Sequence, residues 1–273
     1  MTAISPAALE PARLVRELWA LLAVAQRDLV KLLRDRPRLA VNLAFPVLLV
    51  AGLGSVLQPT VGKVTGVSAV ALAFTGVLPA TLFQSTAAGM ISIAEDREND
   101  FSRTLFVAPV SRLTLVAGKI CGEALVALFQ GGCVIAFAVA IGVRITGGQL
   151  ALLILPGLAC CLLGGAFGLV TVAALPNQRS AMDVFQFLII PQYVLGGVLV
   201  PLHGVSGYLD VIADVMPLRY AVDLVRGVFF HGTPGYRQVV TTSPALDAAV
   251  IAGVFAVAMT AGSLIFDYRE RTR

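Results

Sequence analysis

The amino-acid sequence predicts an all-α membrane protein with six transmembrane helices in a single transmembrane domain, residues 1–273. Hydrophobic residues make up 58% of the chain and charged residues 13%, whereas a soluble domain has about 45–50% and about 25%. The charged residues leave six charge-free windows, which are 39–62, 64–94, 124–143, 145–178, 184–209 and 248–266. Each window reaches or nearly reaches the length of about 20 residues that one helix needs to cross a bilayer. This composition excludes a soluble domain and a disordered chain.

The first predicted element, residues 10–36, is an amphipathic helix at the membrane interface. Leucines recur at helical spacing on one side, and Arg27, Asp28 and Lys31 gather on the other side. Pro37 ends this helix before the first span. Such a helix lies along the membrane surface, and contact with a cytoplasmic partner is a second interpretation.

The segment 94–119, between the second and third spans, combines dense charge with helix-ending signals. It begins with four consecutive charged residues, Glu95 to Glu98, and becomes amphipathic before Pro109 interrupts it. Ser111 is suited to cap the helix that follows. We therefore expect a hydrophilic loop that leads directly into the third span.

The third and fourth spans are rich in small residues. Gly118 and Gly122 are four residues apart, as are Gly164 and Gly168. This spacing allows two helix backbones to approach closely in a membrane, so each pair marks a candidate helix crossing.

The fifth span, about 184–202, carries Pro191 and is therefore predicted to be kinked. A longer segment, 203–246, separates it from the last span. Within this segment two short amphipathic helices are predicted, at 208–213 and 217–230. The ion pairs expected on one face of the second helix are Arg219–Asp223 and Asp223–Arg226.

The distribution of Lys and Arg predicts the orientation. Of the 20 basic residues, 15 fall in one alternating set of segments, and this set is predicted to be cytoplasmic. These segments are 1–38, 94–123, 175–184 and 267–273. Both termini are then predicted to be cytoplasmic, and the chain is predicted to contact membrane lipids. The net charge of +4 is explained by this orientation and does not indicate a nucleic-acid partner.

Several kinds of chemistry have no residues to support them. The windows contain no charged residue that an ion-coupled transporter would use, and the two histidines, His203 and His231, have no ligand set around them. The Gly-Lys pairs at 62–63 and 118–119 lack the rest of a phosphate-binding loop. The chain is therefore predicted not to be an enzyme, to bind no metal or cofactor, and to receive its energy from another polypeptide.

These features resemble the membrane subunit of a type-2 ABC exporter, in the daunorubicin-resistance-like permease group. One set of matching residues is Glu95-Asp96-Arg97-Glu98, Phe101, Arg103, Leu105, Pro109-Val110-Ser111-Arg112 and Gly118-Lys119. A second set is Pro201, Pro217-Leu218, Tyr220, Asp223 and Arg226-Gly227. The resemblance extends over nearly the whole chain.

The resemblance implies that 94–119 contains a cytoplasmic coupling helix for a separate ATPase subunit, with the helix 10–36 beside it. The implied coupling residues are Glu95, Arg97, Glu98, Phe101, Arg103, Leu105, Pro109 and Arg112. It also implies a second permease subunit, identical or related, ATP and Mg bound by the ATPase, and an outer re-entrant hairpin in 203–246. The implied hairpin residues are Pro217, Tyr220, Asp223 and Arg226. The alternative for 94–119 is a solvated loop.

Uncharged polar residues within the spans are the candidates for a substrate path. They are Asn42, Gln84, Gln130, Gln186 and Gln192. The alternative role for such residues is hydrogen bonding between helices. By resemblance the cargo is an amphipathic drug, secondary metabolite or lipid, moved out across the cytoplasmic membrane. Two other functions remain open: export of a cell-envelope lipid or polysaccharide, and ATP-independent transport.

Overall fold

The computed structural model describes residues 19, 22–23, 25–59, 67–98, 112–175, 177–201 and 207–271. Within these residues all regular secondary structure is helical, which confirms the all-α prediction. After a helical stretch at 25–34, the long helices are α1 (Arg36–Leu57), α2 (Ala69–Glu98), α3 (Arg112–Ala140), α4 (Gly147–Ala174) and α5 (Gln178–Leu195). They are followed by α6 (Gly207–Val215), α7 (Pro217–Phe229), α8 (Tyr236–Val239) and α9 (Pro244–Arg271).

Among the described residues, five segments are long and apolar enough to cross a membrane. They are Leu39–Leu57, Ala69–Ser92, Gly118–Ala140, Gly147–Ala174 and Tyr236–Gly262. These segments overlap the first four predicted spans and the last, although the last begins earlier than predicted, at Tyr236. They identify a multi-pass membrane protein.

The fifth predicted span is a helix, but a shorter and more polar one. α5 has 18 residues and includes Arg179 and Asp183 near its start, so it is not among the five apolar segments. It ends at Leu195, seven residues earlier than predicted. Gly196 forms its C-cap, and Gly197 adopts a φ of 72°, a conformation that favours glycine and turns the chain away from the helix.

The core is organised around α2. In the apolar segment of α2, 83% of the residues are buried inside the protein, against 17% in that of α1 and in the last segment. α2 packs against α4, α3, α1 and α7. α7 in turn lies among α2, α4 and α9, with most of its side chains buried. α1 and the last segment therefore present most of their apolar surface outward, as helices in lipid do.

The crossing of α2 and α4 is made by the glycine pair in the fourth span. A methyl group at Gly164 would collide with the carbonyl oxygen of Phe83, and one at Gly168 would collide with the carbonyl oxygen of Ala87. The predicted close approach at Gly164 and Gly168 is thus confirmed, with α2 as the partner helix.

The entry to α4 is set by a complete capping box. The Thr146 side chain accepts a hydrogen bond from the backbone N–H of Gln149, whose side chain accepts one from the Thr146 backbone. Gln149 Nε2 also donates to the carbonyl of Phe229 over 2.9 Å. The start of α4 is thereby tied to the end of α7.

Candidate functional site

The predicted coupling segment joins the ends of α2 and α3. α2 continues six residues beyond its apolar segment and ends at Glu98. α3 begins at Arg112, six residues before the apolar segment of α3 begins at Gly118. Glu95 and Arg97 lie in the last turns of α2. The other predicted coupling residues lie outside the described residues and are Phe101, Arg103, Leu105 and Pro109.

A buried ion cluster lies at the start of the third apolar segment. The ammonium nitrogen of Lys119 is 2.9 Å from Oδ2 of Asp28 and 2.7 Å from Oε1 of Glu123. Arg27, whose side chain is 35% exposed, lies 3.1 Å from Oδ1 of Asp28. Because charges are buried in proteins only when they are paired, the cluster holds residues 25–34 against α3.

Two glycines allow the helices to approach closely at this cluster. A methyl group at Gly122 would lie 2.9 Å from the Cα of Ala25, and one at Gly89 would collide with the Glu123 carboxylate. The helical stretch 25–34, α2 and α3 therefore meet around the ion cluster.

The ion cluster corrects the predicted polar side of the helix 10–36. Asp28 was expected on that exposed side, yet it is 5% exposed, and its helical neighbours Ala25 and Leu32 are buried too. Leu33, expected on the apolar side, is 44% exposed. Local sequence does not reveal this buried face, because the partner of Asp28 is 91 residues away.

The prediction of spans without charge is also wrong at two helix ends. The third apolar segment, Gly118–Ala140, contains Lys119 and Glu123, and the last, Tyr236–Gly262, contains Arg237 and Asp247. The i,i+4 spacing of Lys119 and Glu123 next to a long apolar run is a signal that could have identified the cluster.

A cavity of about 530 Å³ opens between α1, α2, α3 and α5. Four of the five predicted substrate-path residues line it together: Asn42, Gln84, Gln130 and Gln186. The fifth, Gln192, does not; it is buried at 2% exposure in α5, where its Oε1 has no hydrogen-bond partner among the described residues. The lining also includes the rings of Phe45 and Phe185 and the carboxylate side chain of Glu123.

One of these amides also links two helices. Gln84 Oε1 accepts a hydrogen bond of 2.8 Å from the hydroxyl of Tyr193 on α5. The ring of Tyr193 lies 6.3 Å from that of Phe45 on α1. For Gln84, hydrogen bonding between helices is therefore observed, and the same contact fixes one wall of the cavity.

The predicted pair of short helices in 203–246 is present as α6 and α7, divided at Met216. Pro217 is the first residue of α7, where its missing N–H costs no helical hydrogen bond. Arg219 pairs with Asp214 at 2.6 Å and with Asp210 at 3.3 Å, both on α6, and not with Asp223 as predicted. Tyr220 donates to the Asp214 carbonyl over 2.8 Å. These contacts hold the two helices together as a hairpin.

Asp223 faces the loop that leads to the last helix, and not Arg226 as predicted. Its carboxylate accepts the backbone N–H groups of Thr241, at 2.9 Å, and Thr242, at 2.6 Å. The Thr242 hydroxyl bridges Asp223 and Asp247. Arg226 instead donates to the Gly197 carbonyl over 2.7 Å. Burial lowers the pKa of Arg226 to about 10, an effect that the nearby Asp223 partly offsets, so the guanidinium stays charged at neutral pH.

The family model described as "ABC-2 type transporter" matches residues 20–230 of this chain. The chain belongs to this family. ABC-2 proteins are the membrane subunits of ABC exporters and work with an ABC ATPase; they are transport subunits and not themselves the catalysts. The resemblance drawn from the sequence is therefore confirmed.

Three individual proteins are similar to more than half of this chain. Nodulation protein J of Neorhizobium galegae is 29% identical over 189 residues, which cover 68% of this chain and 71% of the relative. Nodulation protein J of Rhizobium meliloti is 26% identical over 71% of this chain and 74% of the relative. The "Probable multidrug ABC transporter permease YbhR" of Escherichia coli is 26% identical over 56% of this chain and 43% of the relative.

Replacing Asp223 with alanine is expected to destabilise this ABC-2 subunit by about 3 kcal/mol, because hydrogen bonds to a buried charge contribute about 1.5–3 kcal/mol each. Unfolding can be followed by thiol labelling of Cys160 and Cys161, which are buried, after exposed Cys121 and half-buried Cys133 are changed to serine. The matched control is Asp183→Ala, at an exposed residue near the start of α5, which should cost less than about 0.5 kcal/mol. Equal midpoints for the two variants would contradict the role assigned to Asp223.

Proposed function

We propose that the chain is the permease subunit of an exporter that moves an amphipathic drug, secondary metabolite or lipid out across the cytoplasmic membrane. The observation that supports this best is the cavity of about 530 Å³ between four helices, a volume within the range of about 300–1,000 Å³ for sites of drug-sized ligands. Asn42, Gln84, Gln130 and Gln186 line the substrate path in this proposal. The similarity to the multidrug permease YbhR favours drug efflux, and with it antibiotic resistance, as the function.

In this proposal the segment 94–119 docks on an ABC ATPase that binds ATP and Mg. The contact residues are Glu95, Arg97, Glu98, Phe101, Arg103, Leu105, Pro109 and Arg112. The ion cluster of Lys119 supports this assignment, because it joins the helix that leaves the docking segment to residues 25–34. ATPase closure is then transmitted to the spans as rigid-body motion.

The proposed assembly contains two permease subunits and two ATPase subunits, with both termini of the permease in the cytoplasm. α5 serves as the sixth span, since 18 helical residues extend about 27 Å, close to the bilayer core of about 30 Å. α6 and α7 form the re-entrant hairpin on the outer side. The burial of α7 among α2, α4 and α9 supports that placement.

The proposal is tested by transport into inside-out membrane vesicles, with rhodamine 6G and an NBD-labelled phospholipid as probes. We expect ATP-dependent uptake only when the ATPase partner is co-expressed. Glu98→Lys or Pro109→Ala should reduce uptake at least about tenfold at unchanged membrane levels, since the first reverses a charge of the docking segment and the second removes its proline break. The control is the charge reversal Arg144→Glu, at an exposed residue between α3 and α4, which should retain transport. Equal uptake without ATP or without the partner would refute ATP-driven export and favour a passive carrier.

A permease for a cell-envelope lipid or polysaccharide is the second candidate. The amide side chains of the cavity favour it, because they can donate to and accept from the hydroxyls of a glycan headgroup. Deletion of the gene separates the two candidates. Loss of an envelope component with unchanged drug sensitivity would support the second candidate over drug efflux.

A further inference from the structure

We propose that the cavity selects organic cations through the carboxylate of Glu123. This inference deepens the proposed function, because it names the substrate class of the same cavity. The sequence windows contain no charge that would select a substrate by its sign, but the structure brings Glu123 to the cavity wall.

The position of Glu123 between two spaces carries the argument. A small cleft of about 30 Å³ is lined by Asp28, Lys31 and Lys119, and the larger cavity is not lined by any of these three. Glu123 lines both. Lys119 therefore holds the carboxylate from the side of the cleft, at 2.7 Å from Oε1. Of the cluster residues Arg27, Asp28, Lys119 and Glu123, only Glu123 lines the cavity, so it is the member of the cluster that a molecule there would contact.

The rest of the cavity wall is neutral and suited to a cation. Among the described residues that line the cavity, Glu123 is the only charged one. Amide and hydroxyl groups and the ring of Phe45, which is 51% exposed, make up much of the remainder. Aromatic faces attract organic cations by about 0.5–2 kcal/mol. Glu123 is 8% exposed, so few waters screen the charge of its carboxylate, although its pairing with Lys119 offsets part of that charge.

The same wall disfavours an anionic ligand. A phosphate or carboxylate group would face Glu123, and the described lining supplies no Lys, Arg or His to balance it. At about 530 Å³ the cavity has the size of a site for an organic molecule. The chemical class that fits both the volume and the charge is an amphipathic organic cation.

Equilibrium binding to the purified full-length chain in detergent tests this inference without an ATPase. The probes are tetraphenylphosphonium and tetraphenylborate, which have nearly the same shape and opposite charge. We expect the cation to bind at least about tenfold more tightly. Glu123→Gln should remove most of that preference, while Asp28→Asn, which also removes a partner of Lys119 but lies outside the cavity wall, should keep it within about threefold.

A second variant keeps the test decisive if Glu123→Gln does not fold. Gln186 lines the cavity and is exposed, so Gln186→Glu adds a carboxylate without burying it. It should strengthen tetraphenylphosphonium binding several-fold and weaken tetraphenylborate binding. Equal affinities for the two probes, an unchanged preference in Glu123→Gln, or equal losses in Glu123→Gln and Asp28→Asn would overturn the inference. Cation binding in a protein that shows no ATP-driven transport would instead count against the proposed function alone.

Discussion

Replacing Lys119 with methionine is expected to lower the free energy of unfolding by about 3–5 kcal/mol, the cost of removing one partner from a buried ion pair. The substitution leaves the carboxylates of Asp28 and Glu123 buried at 5% and 8% exposure. It also removes the ammonium that lies within 2.9 Å of both. The methionine side chain has a similar length, so lost charge pairing and not a cavity dominates the effect. The midpoint of the unfolding transition, followed by thiol labelling of Cys160 and Cys161, measures this loss of stability.

The same substitution at Lys31 is the matched control. Lys31 lies on the neighbouring turn to Asp28 and is exposed, so Lys31→Met should change stability by less than about 0.5 kcal/mol. The triple variant Asp28→Asn, Lys119→Met, Glu123→Gln should recover much of the loss, because no buried charge is left without a partner. A Lys119→Met midpoint equal to that of Lys31→Met would show that the cluster does not hold the helices together.

Replacing Gly168 with alanine is expected to destabilise the protein by about 2–3 kcal/mol, because one methyl group overpacks a backbone crossing. The added carbon would lie 2.9 Å from both the Cα of Ala87 and the Cβ of Met90, and closer still to the carbonyl oxygen of Ala87. The backbone of α2 cannot give way as a flexible side chain can. With Gly164→Ala added, we expect the crossing of α2 and α4 to fail and the protein to lose its fold. The same thiol-labelling assay measures both variants.

Gly132→Ala is the control, and it is expected to leave the stability unchanged or to raise it. Gly132 lies in α3, and a methyl group there would meet no atom of another described element within 4 Å. Alanine favours a helix over glycine by about 1 kcal/mol, so the midpoint of this variant should stay the same or rise. Loss of stability in Gly132→Ala as large as in Gly168→Ala would mean that helix propensity or lipid contact, and not the crossing, explains the effect.

Features that depend on one stretch of sequence could be predicted. A long apolar run between charges located α1, α2, α3, α4 and the last span, and the four-residue spacing of Gly164 and Gly168 located a helix crossing. Met216 and Pro217 correctly marked the division between the short helices α6 and α7. In each of these cases the local sequence carries the physical cause, which is a run of apolar residues, a missing side chain or a missing N–H.

Features that depend on tertiary partners could not be predicted. Asp28 looks like a solvated residue of an amphipathic helix until Lys119 is placed beside it, 91 residues away. Asp223 has nearby arginines at helical spacing, yet its carboxylate accepts hydrogen bonds from the N–H groups of Thr241 and Thr242. Helical spacing shows which groups can reach one another, but the backbone donors of a neighbouring loop decide which contacts Asp223 forms.

The ion cluster divides α3 into a short part on the side of Arg112 and a long part on the side of Ala140. Lys119 is seven residues from Arg112 at one end and twenty-one from Ala140 at the other, which correspond to about 10 Å and about 32 Å of helix. For a rigid helix with its fulcrum at Lys119, a displacement of the short part is multiplied about threefold at the far end. With the cluster as the pivot, a movement of about 1 Å at Arg112 becomes a movement of about 3 Å at Ala140.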